Sequence, residues 1–329
     1  MKDISVATFL GDLGTDHGGM SQPIRILDDN GDEYILKNQQ TPTDLWDCMF
    51  VQESLVWHIA NHLGLLIPSY GRARVTQQVL DASPEIRFKY RLRPGIHFAS
   101  MRMDGCENNL LDGYARLKQI GKPYLKSRWN AFFKGISNSN IIPGIVVLDL
   151  LTGNFDRFTN EGNLLVGPDS LGQRSIYLID HGHCFNGPKW TPDKQKFLRM
   201  PSPTPDYPIT YIQMLHSAAY LGGSALSGLG LVFRELEKYI DISDIAHNPF
   251  LPYVRKSALI NEALLDSWFG PMPDEWFIER SSQIAYYKHF ILQQRMYIPK
   301  ILQLMASGRA FSNYIGGELN WNDTPTGTQ

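Results

Sequence analysis

The spacing of apolar positions changes character near Asp104. Before it, short apolar stretches alternate with turn residues. Ser5 to Leu10 is a short apolar run, and Gly11 to Ser21, carrying Gly11, Gly14, Gly18 and Gly19, reads as a flexible loop. Pro23 to Leu27 and Glu33 to Lys37 predict two strands. Asp28-Asp29-Asn30-Gly31-Asp32 lies between them, with Asn-Gly as a hairpin signal. The period then lengthens and predicts a helix from Asp44, as its N-cap, to Leu63, with Gly64 as the stop. Pro68 to Leu80 and Phe88 to Met103 predict further strands.

Beyond Asp104 helical patterns dominate, apart from strand-like Asn163 to Val166 and Ser175 to Ile179. Pro201 to Pro208 is a proline-rich loop. Thr210 to Leu221, Leu229 to Ile240, Tyr253 to Phe269 and Ser281 to Met305 predict four helices, and Asn320 to Gln329 is a polar tail expected to fray. The expectation is an α+β chain of two lobes: a small β-rich N-lobe with one helix over 1–103, and a larger, mostly helical C-lobe over 104–329. That order is found in kinases, but order alone assigns no function.

Composition narrows the classes. The chain has 329 residues, is 43% hydrophobic and has a net charge of -2. That is long enough for one bilobal unit or two small domains. No basic run stands out, so the electrostatic footprint of a nucleic-acid binder is absent and no direct nucleic-acid partner is expected. Cys48, Cys106 and Cys184 are few and unpatterned, which suits a reducing compartment. No signal-peptide pattern opens the chain and no apolar run is long enough to span a bilayer. A cytoplasmic protein without a membrane partner is expected.

Three stretches then carry the chemistry: Asn154-Phe155-Asp156-Arg157, Asn163-Leu164-Leu165-Val166 and Ile179-Asp180-His181-Gly182. In order they supply a carboxylate, an amide and a second carboxylate. Phosphoryl transfer from Mg-ATP needs that set, one carboxylate for the acceptor hydroxyl and an amide oxygen plus a carboxylate for metal. Upstream, Lys37 ends a strand and Glu53 lies on the next helix, on the face of Trp46, Phe50, Trp57 and Ala60. A carboxylate among those side chains needs a cationic partner, or it neutralises. The plain alternative is a solvated strand-end lysine and a glutamate at the margin of the apolar face. Asp16 to Pro23 would let backbone N–H groups approach phosphate, with Ser21 adding a hydroxyl, although its spacing matches no standard phosphate loop. Asp180-His181-Gly182-His183 alone would also suit a transition metal, but no further His or Cys cluster stands near it.

Together these segments resemble the HipA-like kinase family, most closely its short branch without the extra N-terminal subdomain. The likeness rests on Gly18 to Pro23, Asp32 to Lys37, Glu53 followed by Ala60 to Leu65 and Pro68, and His97 to Ser100. It continues in Gly153 to Arg157, Asn163, Ile179 to His183 and Pro273 to Trp276. It is thin between Asp104 and Ile145 and between Pro188 and Pro271. The resemblance implies an atypical protein-kinase fold, ATP and Mg²⁺ as cofactors, and phosphorylation of serine or threonine on a protein substrate. By position it makes Asp156 the catalytic base, Lys37 a phosphate contact paired with Glu53, and Asn163 and Asp180 the metal ligands. Gly18, Gly19 and Ser21 would cover the nucleotide, and Ser100, Met101, Arg102 and Met103 would form the hinge along adenine. The family's namesake is a toxin held by a DNA-binding antitoxin, which raises an antitoxin or other regulatory protein as partner, and family members can autophosphorylate loop serines, which raises Ser21. The chain departs from the family in carrying Phe158 where His often follows Asp-Arg, and in a longer Asp-to-Asn spacing that leaves Asn160 beside Asn163 as ligand. A lipid or small-molecule kinase and a non-catalytic nucleotide-binding module are the competing readings.

Overall fold

A computed structural model describes residues 1–12, 23–107, 122–219 and 229–322. Within them the small lobe is a five-stranded sheet that closes on itself in the order β1-β2-β3-β5-β4. Its strands are β1 (Lys2–Asp12), β2 (Ile24–Asp28), β3 (Glu33–Leu36), β4 (Tyr70–Val75) and β5 (Gly95–Met101). The β2–β3 turn forms because Asp28 Oδ1 accepts the backbone N–H groups of Asn30 and Asp32, and Gly31 takes φ +83°. Closure comes from β1 lying parallel to β4, Lys2 to Ser5 against Gly71 to Arg74. A Cβ on Gly71 would stand 2.5 Å from the Lys2 carbonyl oxygen, so only glycine admits that approach. Inside lie Ile4, Ile24, Ile26, Leu36, Ala73 and Ala99, all buried.

Helix α1 (Met49–Leu63) crosses between the lobes. It ends as the sequence predicts, with Gly64 left-handed and its N–H returned to the carbonyls of Ala60 and Asn61. Its start is later than expected. Asp44 does not cap it: the Asp44 carboxylate pairs with Lys189, Thr41 donates its N–H to the Asp44 carbonyl, and Trp46 donates to Gln39. Trp46 therefore precedes the helix and is not on its Glu53 face. The small lobe also holds more than one helix. Part of the expected strand over Pro68 to Leu80, and part of that from Phe88, instead forms α2 (Gln77–Asp81) and α3 (Pro84–Tyr90). Thr76 Oγ1 accepts the Val79 N–H at the start of α2, and Pro84 opens α3 at a position where its missing N–H costs nothing.

In the large lobe, α4 (Lys122–Phe133) and α5 (Ile142–Thr152) lead to the hairpin β6 (Leu164–Pro168) and β7 (Arg174–Leu178). Helix α5 is buried at every position and, apart from Asp149 and Thr152, apolar around its circumference, so it forms the axis of the lobe. Around it stand α6 (Pro192–Arg199), α7 (Tyr207–Ala219), α8 (Leu231–Leu236), α9 (Leu251–Ala258), α10 (Glu262–Phe269) and the long α11 (Arg280–Ser307). The single helix expected over Tyr253 to Phe269 is two. Asn261 is extended there and its side chain accepts the Leu264 N–H, starting a new helix. The lobes meet through Trp276, whose indole donates to the Ile96 carbonyl of β5 at 2.7 Å and packs 5.6 Å from Phe50 of α1. None of the described helices is long and apolar enough to cross a membrane.

Candidate active site

Lys37 follows β3, and its backbone N–H donates to the Phe98 carbonyl of β5. That bond turns the side chain into the cleft between the lobes. Its Nζ lies 3.1 Å from Glu53 Oε1 of α1 and 2.8 Å from Asp180 Oδ1, just past β7. Lys37 and Glu53 are buried, whereas Asp180 is one-third exposed on the cleft side. Burial opposes charge on Lys37, but Asp180 and Glu53 outweigh it and hold the ammonium above its ordinary range. Burial likewise pushes Asp180 up, and Lys37 reverses this, holding the carboxyl at about 2. Burial pushes Glu53 up more than Lys37 pulls it down. At neutral pH the cleft therefore holds a lysinium against at least one full carboxylate.

Asp156 opens a short 3-10 turn after α5, and the chain returns to it through Asn163 at the foot of β6. Asn163 Nδ2 donates to Asp156 Oδ2 at 2.7 Å, and Asn160 Nδ2 reaches the same oxygen at 3.3 Å. The two amides differ in what their oxygens do. Asn160 Oδ1 accepts the Gly162 N–H. Asn163 Oδ1 is buried and has no donor, an arrangement that costs free energy unless something binds there. Together with Asp180, whose Oδ1 takes Lys37, it offers the hard oxygen ligands that Mg²⁺ takes from protein while phosphate and water fill the rest of its shell. Asn163 and Asp180 therefore fit such an ion, and Asn163 fits better than Asn160.

Beneath these groups lies a set centred on Asp149, which the sequence reading did not single out. Arg157 is fully buried and pairs with Asp149 of α5 at 3.0 Å. It also donates to the Asn163 and Ile179 carbonyls and to His181 Nδ1 at 3.0 Å. One guanidinium thus ties the Asp156 turn, the Asn163 turn and the Asp180 turn to one point. Burial pushes Asp149 up to about 6 in spite of Arg157, and burial, with Arg157 beside it, keeps His181 neutral. The signal was present: a lone carboxylate inside Ile-Val-Val-Leu-Asp-Leu-Leu demands a cation. Removing that cation in Arg157→Met is expected to cost about 3–5 kcal/mol, because it leaves a buried charge without its partner. Urea unfolding would read this directly, and an unchanged midpoint would contradict it.

Other positions find plainer places. His183 lies edge-on to Trp46 at 4.8 Å and His181 is held by Arg157, so different elements hold the two rings. Among the described residues no group of three or more His, Cys, Asp or Glu side chains is placed to hold a metal ion. Phe158 is buried against Phe233 at 4.9 Å. Ser100 and Met101 end β5, where the Met101 N–H donates to the Ser69 carbonyl at 2.7 Å and the Arg102 N–H to Glu33 at 3.0 Å. Met103 reaches over β6, its Cε 3.5 Å from where a Cβ of Gly167 would stand. Gly18, Gly19 and Ser21 lie outside the described residues.

The fold has a counterpart among solved structures. The proinflammatory kinase CtkA of Helicobacter pylori aligns over 91% of this chain and 93% of its own, with a TM-score of 0.52 and 15% identity. The two-lobed fold is that of this kinase. At this identity the likeness to CtkA is one of fold alone. Weaker superpositions are found with HipA in the Shewanella oneidensis HipA–HipB–operator DNA complex and with a Golgi casein kinase bearing Mn/ADP. The first has 10% identity, a TM-score of 0.42, and covers 89% of this chain and 67% of that one. The second has 11% identity, a TM-score of 0.41, and covers 94% and 75%. Neither a protein-family model nor a curated protein sequence matches the chain.

Proposed function

We propose that the chain is an ATP- and Mg²⁺-dependent phosphotransferase that acts on serine or threonine of a protein. The observation that carries this is the convergence of Lys37, Glu53 and Asp180, with Asn163 hydrogen-bonded to Asp156 and Arg157 joining the Asn163 and Ile179 carbonyls. Lys37 binds the phosphates, and Glu53 fixes it from behind. Asp180 and the orphan oxygen of Asn163 would hold the metal. Mg²⁺, when bound, neutralises charge developing on the transferred phosphoryl group. Asp156 accepts the proton of the attacking hydroxyl. Asn163 Nδ2 engages one Asp156 oxygen and so orients the carboxylate for that role. Residues 100–103 would lie along adenine. The N–H groups of Met101 and Arg102 are already engaged, which leaves the adenine edge to Met103. Ser21, which the sequence places in a glycine-rich stretch, is the proposed site of any self-phosphorylation.

An assay with γ-labelled ATP and protein, peptide and lipid acceptors tests the reading. Label on serine or threonine of protein supports it. Label confined to lipid or a small acceptor would replace it with another kinase class. Tight Mg-nucleotide binding without transfer to any acceptor would reduce the chain to a binding module. In the same assay Lys37→Met is expected to lower turnover while the protein stays folded, since Met keeps the buried stem and removes only the ammonium. Wild-type turnover in that variant would place Lys37 outside the chemistry.

A further inference from the structure

Behind the Lys37–Glu53–Asp180 cluster lies a second polar network that the proposed chemistry does not use. Gln52, next to Glu53 on α1, is fully buried. Its Nε2 donates to the carbonyls of Gly182 at 2.6 Å, Cys184 at 2.9 Å and Gly187 at 3.3 Å. Its Oε1 accepts from Lys194 Nζ at 2.5 Å and from the Tyr287 hydroxyl at 3.0 Å. Lys194, fully buried on α6, donates also to the carbonyls of Phe185, at 2.9 Å, and Gly187. Every carbonyl in this network belongs to the segment that follows Asp180. Further contacts hold its outer end to the approach to α1: Cys48 N–H to the Pro188 carbonyl, Trp190 N–H to Asp47 Oδ1, and Lys189 to Asp44. The fit is tight, since a Cβ on Gly182 would stand 2.7 Å from Met49 Cγ.

This network does not serve stability well. Lys194 has only neutral oxygens as hydrogen-bond partners, and burial pulls its ammonium down to about 8. The unfolded chain holds that proton more tightly. The lysine therefore opposes folding below about pH 8, and the cost fades as pH rises toward the ordinary 10.5. An apolar side chain of similar length would avoid that cost. What the lysine and Gln52 provide instead is geometry, because they fasten one short segment to one face of α1.

We propose that Gln52 and Lys194 are positioning residues that bind the 182–190 segment to helix α1, so that Glu53, Lys37 and Asp180 take up their arrangement as one unit. Moving α1 would pull the segment, and with it Asp180. Loosening the segment would release Glu53. The effect on turnover rests on the phosphotransfer reading, whereas the effect on the segment rests on the contacts alone.

The test uses the full chain, with Lys194→Met and Gln52→Met each compared with wild type. Three quantities are read: thermal midpoint, amide hydrogen exchange over 182–190, and turnover with γ-labelled ATP at varied Mg²⁺. In Lys194→Met the midpoint is expected to hold or rise. Exchange over 182–190 should speed up about tenfold, as for a locally loosened unit, with α5 unchanged. Turnover should fall about 2–30-fold, the span of couplings carried by residues that touch neither ligand, and half-maximal activity should need more Mg²⁺. Should Lys194→Met fail to fold, Gln52→Met alone decides by the same exchange and turnover readings. Unchanged exchange over 182–190, or a loss of turnover no larger than the unfolded fraction, would overturn the proposal. If wild type transfers no phosphate, the kinase reading falls, and exchange over 182–190 alone decides whether the segment is fastened as described.

Discussion

Asp180→Asn is expected to abolish detectable phosphoryl transfer while leaving the fold intact. Asp180 has φ +58°, a conformation that Asn tolerates well and Ala less so, which makes Asn the cleaner substitution. The change keeps the shape and removes the charge that faces Lys37 at 2.8 Å and would face the metal. Without it Lys37 turns wholly to Glu53, and a cation bound there would lose a carboxylate ligand. Loss of label transfer, with a circular dichroism spectrum and thermal midpoint close to wild type, is the expected pair of results. Turnover equal to wild type would refute the metal assignment outright.

Asp156→Asn should lower turnover by about 10²–10⁴-fold, the usual contribution of a positioned acid–base group. Nucleotide affinity should change far less, because the proposed partner of Asp156 is the acceptor hydroxyl and not ATP. Equilibrium titration with Mg-ADP beside steady-state turnover separates the two. If affinity collapsed while the bound complex still turned over, Asp156 would be a structural anchor for Asn163 and nothing more.

The chemistry was easier to read from sequence than the geometry that supports it. Lys37, Glu53, Asp156, Asn163 and Asp180 stand out by their order along the chain and by the family resemblance, with apolar strands beside Asn163 and Asp180. The structure pairs Lys37 with Glu53 and Asp180 and hydrogen-bonds Asn163 to Asp156. The choice between Asn160 and Asn163 leans, in the sequence, only on the Leu-Leu-Val run that follows Asn163. It turns on which amide oxygen is already engaged, a matter of a single turn's conformation. The same holds for α1. Its end is written in Gly64, whereas its start depends on Lys189, 145 residues away from Asp44. Short helices such as α2 and α3 hold too few turns for periodicity to tell them from strands. Lys194 gave no sign at all, since a lysine in Thr-Pro-Asp-Lys-Gln-Lys reads as surface until the fold encloses it.

The small lobe closes on strands that stand far apart along the chain, with Lys2 beside Gly71. This sets an order of assembly. As the polypeptide emerges, β1 can pair at once with β2 through one edge only. Its other edge must wait until β4 has been made. During that interval β1 carries an unpaired row of backbone groups, the kind of edge on which chains associate wrongly. Gly71 then acts as the latch that ends the interval, since any side chain there would hold β1 off. A slow, concentration-sensitive refolding step confined to the small lobe follows from that geometry, and Gly71→Ala should prolong it.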